Sequence, residues 1–237
     1  MKLSMIFLAV ALAGASPVAA QPAPAAPSSP NAIVDQVQKF YANINQVTAD
    51  FQQSVHNAQF GTDKTSAGTV WLKKPGKMRW DYLEQKAGKT LLKKSFISNG
   101  TTLFDVEPDN KQVIKKNLTN DVMPVAVSFL YGKGDLKAEF NAQLDTTGGY
   151  GEKGDYVLKL TPKQASAQYK NLYLVVDPKD FHAKESIIVD SSNNVNHFQF
   201  HRPDFEKPIK DSAFEFDQRA VPSYQIIDAD QPQKPKP

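Results

Sequence analysis

Four histidines, a scatter of carboxylates and one glycine-rich hexad are the residues of this chain that could do chemistry. His197 and His201 could share one strand face, but strand positions four apart lie about 13 Å from each other, too far for two imidazoles to hold one metal ion. The adjoining Arg202-Pro203 also predicts that the strand ends there. No Asp or Glu pair stands out as an acid/base couple, and no serine sits in a nucleophile elbow. The absence of cysteine removes thiol catalysis, iron–sulfur clusters, Cys-ligated zinc and disulfides. Gly149-Tyr150-Gly151-Glu152-Lys153-Gly154 matches the dinucleotide fingerprint letter for letter. That fingerprint works only between a strand and a helix whose N-terminus faces the pyrophosphate. Here Asp155-Tyr156-Val157-Leu158-Lys159-Leu160 follows and alternates like a strand, which predicts a hairpin loop. Asn99-Gly100-Thr101 and Asn117-Leu118-Thr119 match glycosylation sequons, but the first reads as a type I′ hairpin turn. The expectation is a protein with no catalytic residue, no metal and no cofactor.

Stepping from side chains to chain, 28 Lys+Arg stand against 25 Asp+Glu, and 41% of the 237 residues are hydrophobic. That is a globular composition with no charge excess to call for a nucleic-acid partner. Residues 1–20 read as a signal peptide: Lys2, an apolar run from Met5 to Ala13, then Val18-Ala19-Ala20 for cleavage after Ala20. Export without cysteine points to a bacterial periplasm, and Gln21 rather than Cys at the cut predicts no lipid anchor. Residues 21–30 form a Pro/Ala-rich linker, 31–230 one domain, and 231–237 a Pro-rich tail.

Within the domain the hydrophobic period decides the elements. Ile33, Val34, Val37, Phe40, Tyr41 and Ile44 recur at helical steps, with Ser29 as N-cap and Pro30 at the first turn. From Val47 the period becomes two, and strands follow at 69–74, 77–83, 94–98, 101–106, 111–116, 136–144, 156–160, 172–176, 186–189 and 195–200. The segment 122–131 reads as a short apolar helix. The sum is a mainly β, α+β protein: a curved antiparallel sheet or incomplete barrel of about eleven strands with helical cover.

Met78, Trp80 and Tyr82 alternate with Lys77, Arg79 and Asp81, with Trp71, Phe96, Leu103 and Phe104 close by. Two readings fit this pattern: a self-filled barrel interior, or a cavity lined by large apolar side chains.

The stretch Gly68-Thr69-Val70-Trp71-Leu72-Lys73-Lys74-Pro75-Gly76-Lys77-Met78-Arg79-Trp80 resembles the signature hairpin of the outer-membrane lipoprotein carrier family, the LolA proteins. Val47 to Gln53, Ser98 to Phe104, Leu160 to Lys163 and Phe214-Glu215-Phe216 are similar to further landmarks of that family. The resemblance implies an unclosed antiparallel β-barrel with a helical lid. It also implies a periplasmic, monomeric, non-enzymatic carrier that receives acylated lipoproteins from an inner-membrane lipoprotein ABC exporter and passes them to an outer-membrane lipoprotein acceptor. The acyl-chain cavity would be lined by Phe51, Trp71, Met78, Trp80, Tyr82, Phe96, Leu103 and Phe104, with Val125, Phe129 and Leu130 on the covering helix. Lys74 stands where family members carry an arginine that latches the lid to helix backbone, so Lys74, or its neighbour Lys73, is expected to form a weaker latch. The family's Pro-Pro-x-Gly stretch is replaced by Asp217-Gln218-Arg219-Ala220-Val221-Pro222. A sensor or regulator on the same half-barrel is the alternative binding function, and a lipid or glycan hydrolase is disfavoured by the missing nucleophile signature.

Overall fold

The structure, a computed structural model, describes residues 29–118, 134–166 and 169–231. The signal-peptide and most of the linker readings, the helix expected at 122–131 and nearly all of the tail lie outside those residues. Helix α1 (Pro30–Asn43) starts where the sequence punctuates it: the Ser29 hydroxyl accepts from the Ala32 amide at 3.2 Å, and proline occupies the first turn. Its apolar stripe of Ile33, Val34, Val37 and Tyr41 is fully buried. The helix ends without a glycine cap, so its last carbonyls need partners from elsewhere.

Among the described residues twelve strands form one unclosed sheet: β1 (Gln46–Asn57), β2 (Thr62–Lys73), β3 (Lys77–Lys86), β4 (Lys89–Ser98), β5 (Thr102–Glu107), β6 (Gln112–Asn117), β7 (Phe140–Leu144), β8 (Tyr156–Pro162), β9 (Asn171–Val176), β10 (Ala183–Val189), β11 (Val195–Asp204) and β12 (Gln225–Asp228). The order is β12-β6-β5-β4-β3-β2-β1-β11-β10-β9-β8-β7, antiparallel throughout except that β12 joins β6 in parallel. β1 is therefore central, flanked by β2 and β11 along most of its length.

Several sequence expectations are corrected in detail. β2 begins at Thr62 rather than 69, although Thr62 to Ala67 is exposed and carries no apolar alternation; pairing with β1 holds it. Leu136–Glu139 is a helical turn, α2, because the Asp135 carboxylate accepts from the Lys137 and Ala138 amides, and the strand starts only at Phe140. Asn99-Gly100 is not a type I′ turn: of the two, only Gly100 has positive φ, at +101°. Asn99 instead caps the loop, its Oδ1 accepting from the Thr101 and Thr102 amides. β11 continues through Arg202-Pro203 to Asp204, with an irregularity opposite Thr48 and Asp50. Residues 149–154 do form the loop between the antiparallel pair β7 and β8.

The two sheet faces are covered differently. α1 packs on the inner face, where its stripe joins Val47, Phe51, Leu72, Trp80, Leu174 and Phe198 in the main core. On the outer face a second cluster of Ile97, Val106 and Val113 is covered by Phe216, Tyr224 and Ile226 from the C-terminal segment.

Candidate functional site

Strand pairing sorts the candidate residues by face, because directly paired residues project to the same side and neighbours in sequence to opposite sides. One inner row runs Val47, Leu72, Met78, Ser98, Leu103; the next runs Ala49, Val70, Trp80, Phe96, Asp105; a third runs Phe51, Gly68, Tyr82, Lys94. Phe51, Met78 and Trp80 are buried there at 1%, 5% and 6% exposure, and Tyr82, Phe96 and Leu103 pack against them. The Phe51 ring lies 5.2 Å from Trp80 and 5.0 Å from Tyr82, and Trp80 lies 5.3 Å from Phe198. Phe198 and Phe200 thus complete the aromatic wall from β11, which the sequence reading passed over although they alternate visibly within that strand.

Trp71 and Phe104 are not on this wall. They lie in the outer row Thr48, Trp71, Arg79, Ile97, Phe104. The Arg79 guanidinium sits over the Trp71 ring at 5.7 Å, and Phe104 stacks on Phe216 at 4.9 Å. The physical reason is the two-residue period: Leu103 and Phe104 are adjacent, as are Trp71 and Leu72, so only one of each pair can face inward. Val125, Phe129 and Leu130 lie outside the described residues.

The two lysines also part, Lys73 at the end of β2 and Lys74 in the turn that follows. Lys74 Nζ reaches the open end of α1, donating to the Tyr41 carbonyl and, at 3.1 Å, to the Ala42 carbonyl. Its backbone amide also donates to the Asn45 carbonyl at 2.8 Å. A cation at a helix C-terminus meets both the orphan carbonyls and the negative end of the dipole; partial burial lowers the Lys74 pKa. Lys73 Nζ turns to the outer face instead, donating at 2.7 Å to both the Ile209 carbonyl and the Asp211 carboxylate. Lys77 meets the same carboxylate at 2.7 Å. Hydrogen bonds from Lys73, then Lys77, hold the Asp211 carboxyl down at about 2.

Among the described residues, the apolar space beside the C-terminal end of α1 is small. A void of about 30 Å³ lies among Tyr41, Leu72, Ala183 and Phe205, no more than one water's share of liquid volume, ~30 Å³. The Tyr41 hydroxyl accepts from the Ala183 amide at 3.0 Å, fixing the helix end to β10, and burial pushes the Tyr41 pKa up.

The inner face also carries charge that the sequence reading missed. Lys94 Nζ lies 2.9 Å from Asp105 and 3.2 Å from Glu107, and 4.8 Å over the Phe96 ring. Burial raises the Asp105 pKa, only partly offset by Lys94, and Asp105 Oδ1 is buried without a hydrogen-bond partner. Burial and the Asp105 charge push Tyr82 up to about 12. The ion pairs join separate strands, so no local motif signals them. Among the histidines, His197 bonds Glu185 at 2.7 Å. Asp177, Asp180 and His182 bring their ligand atoms within 4.8 Å of one another, the one described group that could hold a metal. Asp177 and Asp180 already cap the turn before β10, accepting from the Lys179 and His182 amides.

Comparison with known proteins adds a family. Residues 42–217 match the model described as outer membrane lipoprotein carrier protein LolA. A Bordetella avium outer-membrane lipoprotein carrier protein is 28% identical over 107 residues, 45% of this chain and 48% of that protein, so the chain spans about half of that relative. A Dechloromonas aromatica protein of the same description is 23% identical over 77% of this chain and 82% of its own length. An uncharacterized conserved protein from Thermus thermophilus has a similar fold, with a TM-score of 0.51 and 9% identity over 84% of this chain and 98% of its own.

Proposed function

The chain belongs to the LolA family of outer membrane lipoprotein carrier proteins, and we propose that it carries acylated lipoproteins through the periplasm, from an inner-membrane ABC exporter to an outer-membrane acceptor. It does so as a monomer, without catalysis and without a cofactor. The observation that carries this reading is the inner wall of Phe51, Met78, Trp80, Tyr82, Phe96 and Leu103 under a helix whose C-terminus is tied by one lysine ammonium.

Because the described void beside α1 at Tyr41 is water-sized, acyl chains fill the space under the helix only as α1 moves aside. That sets up a competition favourable to a carrier. Each buried methylene contributes about 0.8 kcal/mol, so three sixteen-carbon chains represent about 40 kcal/mol of gross transfer, against a ceiling of about 20 kcal/mol for tight non-covalent binding. Chains that must displace Ile33, Val34 and Val37 gain only the difference, and the returning helix helps expel them. Lys74 is the latch in this scheme, while Lys73 secures the C-terminal segment.

The test is direct. Mature protein is mixed with inner-membrane vesicles bearing lipoprotein and exporter, ATP is added, and the supernatant is examined for a one-to-one complex. A soluble complex with chemically unaltered cargo is expected; no complex in the presence of active exporter rejects the carrier reading.

A further inference from the structure

A cavity of about 800 Å³ lies beyond the apolar wall, at the far end of the first four strands. Its origin is a split in the sheet. β2 and β3 pair from Lys73–Lys77 only as far as Ala67–Leu83. At that point Gly68 allows the closest approach: a Cβ there would stand 1.9 Å from the Asp81 carbonyl oxygen and 2.8 Å from the Phe51 ring. β3 then shifts register against β4 between Tyr82 and Leu83, and the hairpins diverge. Beyond the split Thr62–Ser66 pair with β1, and Glu84–Lys86 with β4, so among the described residues two strand edges face the gap with no ladder between them.

The lining suits polypeptide backbone. Gln53, Thr65, Ser66 and Gln85 are uncharged, and of the charged liners Glu84 lies 3.6 Å from Lys93, whose ammonium also bonds the Asp109 carboxylate. The volume agrees: five residues of strand at about 3.3 Å each, with a strand spacing of about 4.8 Å and a sheet spacing of about 10 Å, occupy about 800 Å³. Phe60 and Leu91, near the two hairpin tips, are 71% and 41% exposed. Asp63, Lys64 and Lys86 mark the outer ends with charge, the usual guard against open-ended sheet pairing. Tyr82 lines the cleft and also touches Phe51 and Phe96 of the inner wall.

We propose that this cleft takes an extended polypeptide as an added β-strand, an addition of the kind that free sheet edges support. Resting on the carrier reading, that polypeptide is the segment of the lipoprotein next to its acylated residue: acyl chains pass inward at Tyr82, and the peptide leaves between the hairpins.

The test uses the intact mature protein and three probes bearing the same pyrene-labelled acyl chains: a lipidated cysteine alone, that cysteine followed by a six-residue Ser/Thr/Ala peptide, and the same lipopeptide N-methylated at alternate amides. Pyrene emission reads acyl entry, and hydrogen exchange reads the edges at 62–66 and 84–86. The native-backbone lipopeptide is expected to bind at least tenfold tighter than the other two and to be the only probe that slows exchange at both edges. Equal affinities, or unprotected edges, overturn the strand-addition proposal while pyrene entry leaves the carrier reading intact. Edge protection by the peptide without pyrene entry overturns the carrier reading and upholds the cleft.

Discussion

Replacing Lys74 with leucine removes the ammonium and keeps most of the apolar stem, which makes it a sharp test of how α1 is held. Two hydrogen bonds are lost, to the Tyr41 and Ala42 carbonyls. Hydrogen bonds to charged groups contribute about 1.5–3 kcal/mol each when buried, but Lys74 is partly solvated, and exposed charge interactions fall to about 0–1 kcal/mol. Between these limits the pair contributes about 1–3 kcal/mol to keeping the helix seated. That is a 5- to 150-fold change in the ratio of displaced to seated α1. Hydrogen exchange of Ile33 to Tyr41, which follows the displaced population, is expected to accelerate by that factor in Lys74→Leu, with acyl-probe release quickening in parallel. Lys74→Arg, whose planar fork can serve both carbonyls, is expected to restore or exceed the parent protection. Parent-like exchange and release in Lys74→Leu would refute the latch.

Three further outcomes follow from the geometry. Asp211, held low by Lys73 and Lys77, anchors the C-terminal segment while ionised; the anchor is complete above the ordinary aspartate value and is lost as pH falls from about 4 towards about 2. Limited proteolysis around residues 205–217 should therefore rise across that window, and Asp211→Asn should show the raised cleavage at neutral pH. Gly68→Ala forces a methyl against the Asp81 carbonyl; a cost of about 3 kcal/mol, read calorimetrically as a Tm fall of about 6–12 °C, is expected. Phe216→Ala removes the ring stacked on Phe104 and should lower stability in urea by about 2–3 kcal/mol, yet leave acyl-probe affinity unchanged because both rings lie on the outer face.

The chain displays its fold unevenly. Wherever a strand alternates apolar and polar residues, as Met78 to Tyr82 does, period and face can be read directly. The first half of β2 cannot be read this way, since Thr62 to Ala67 is exposed on both sides and exists as a strand through its neighbour. α2 hides inside an alternating run because Asp135 closes a turn that hydrophobicity does not register. For the candidate site, the Phe51, Met78 and Trp80 wall is legible, whereas Trp71 and Phe104 mislead because size and apolarity say nothing about side. The Lys94–Asp105–Glu107 cluster and the cleft both depend on how neighbouring strands align, and registry between strands is invisible to local pattern.

Lys73 and Lys74 are consecutive, yet one grips the strap on the outside of the shell and the other grips the helix on the inside. Lys73 is the last residue of β2 and Lys74 the first of the turn that follows, which places the two grips back to back across a single layer of backbone. The inner and outer coverings of this shell are therefore gripped by consecutive residues, and a pull on either reaches the other across a single peptide unit.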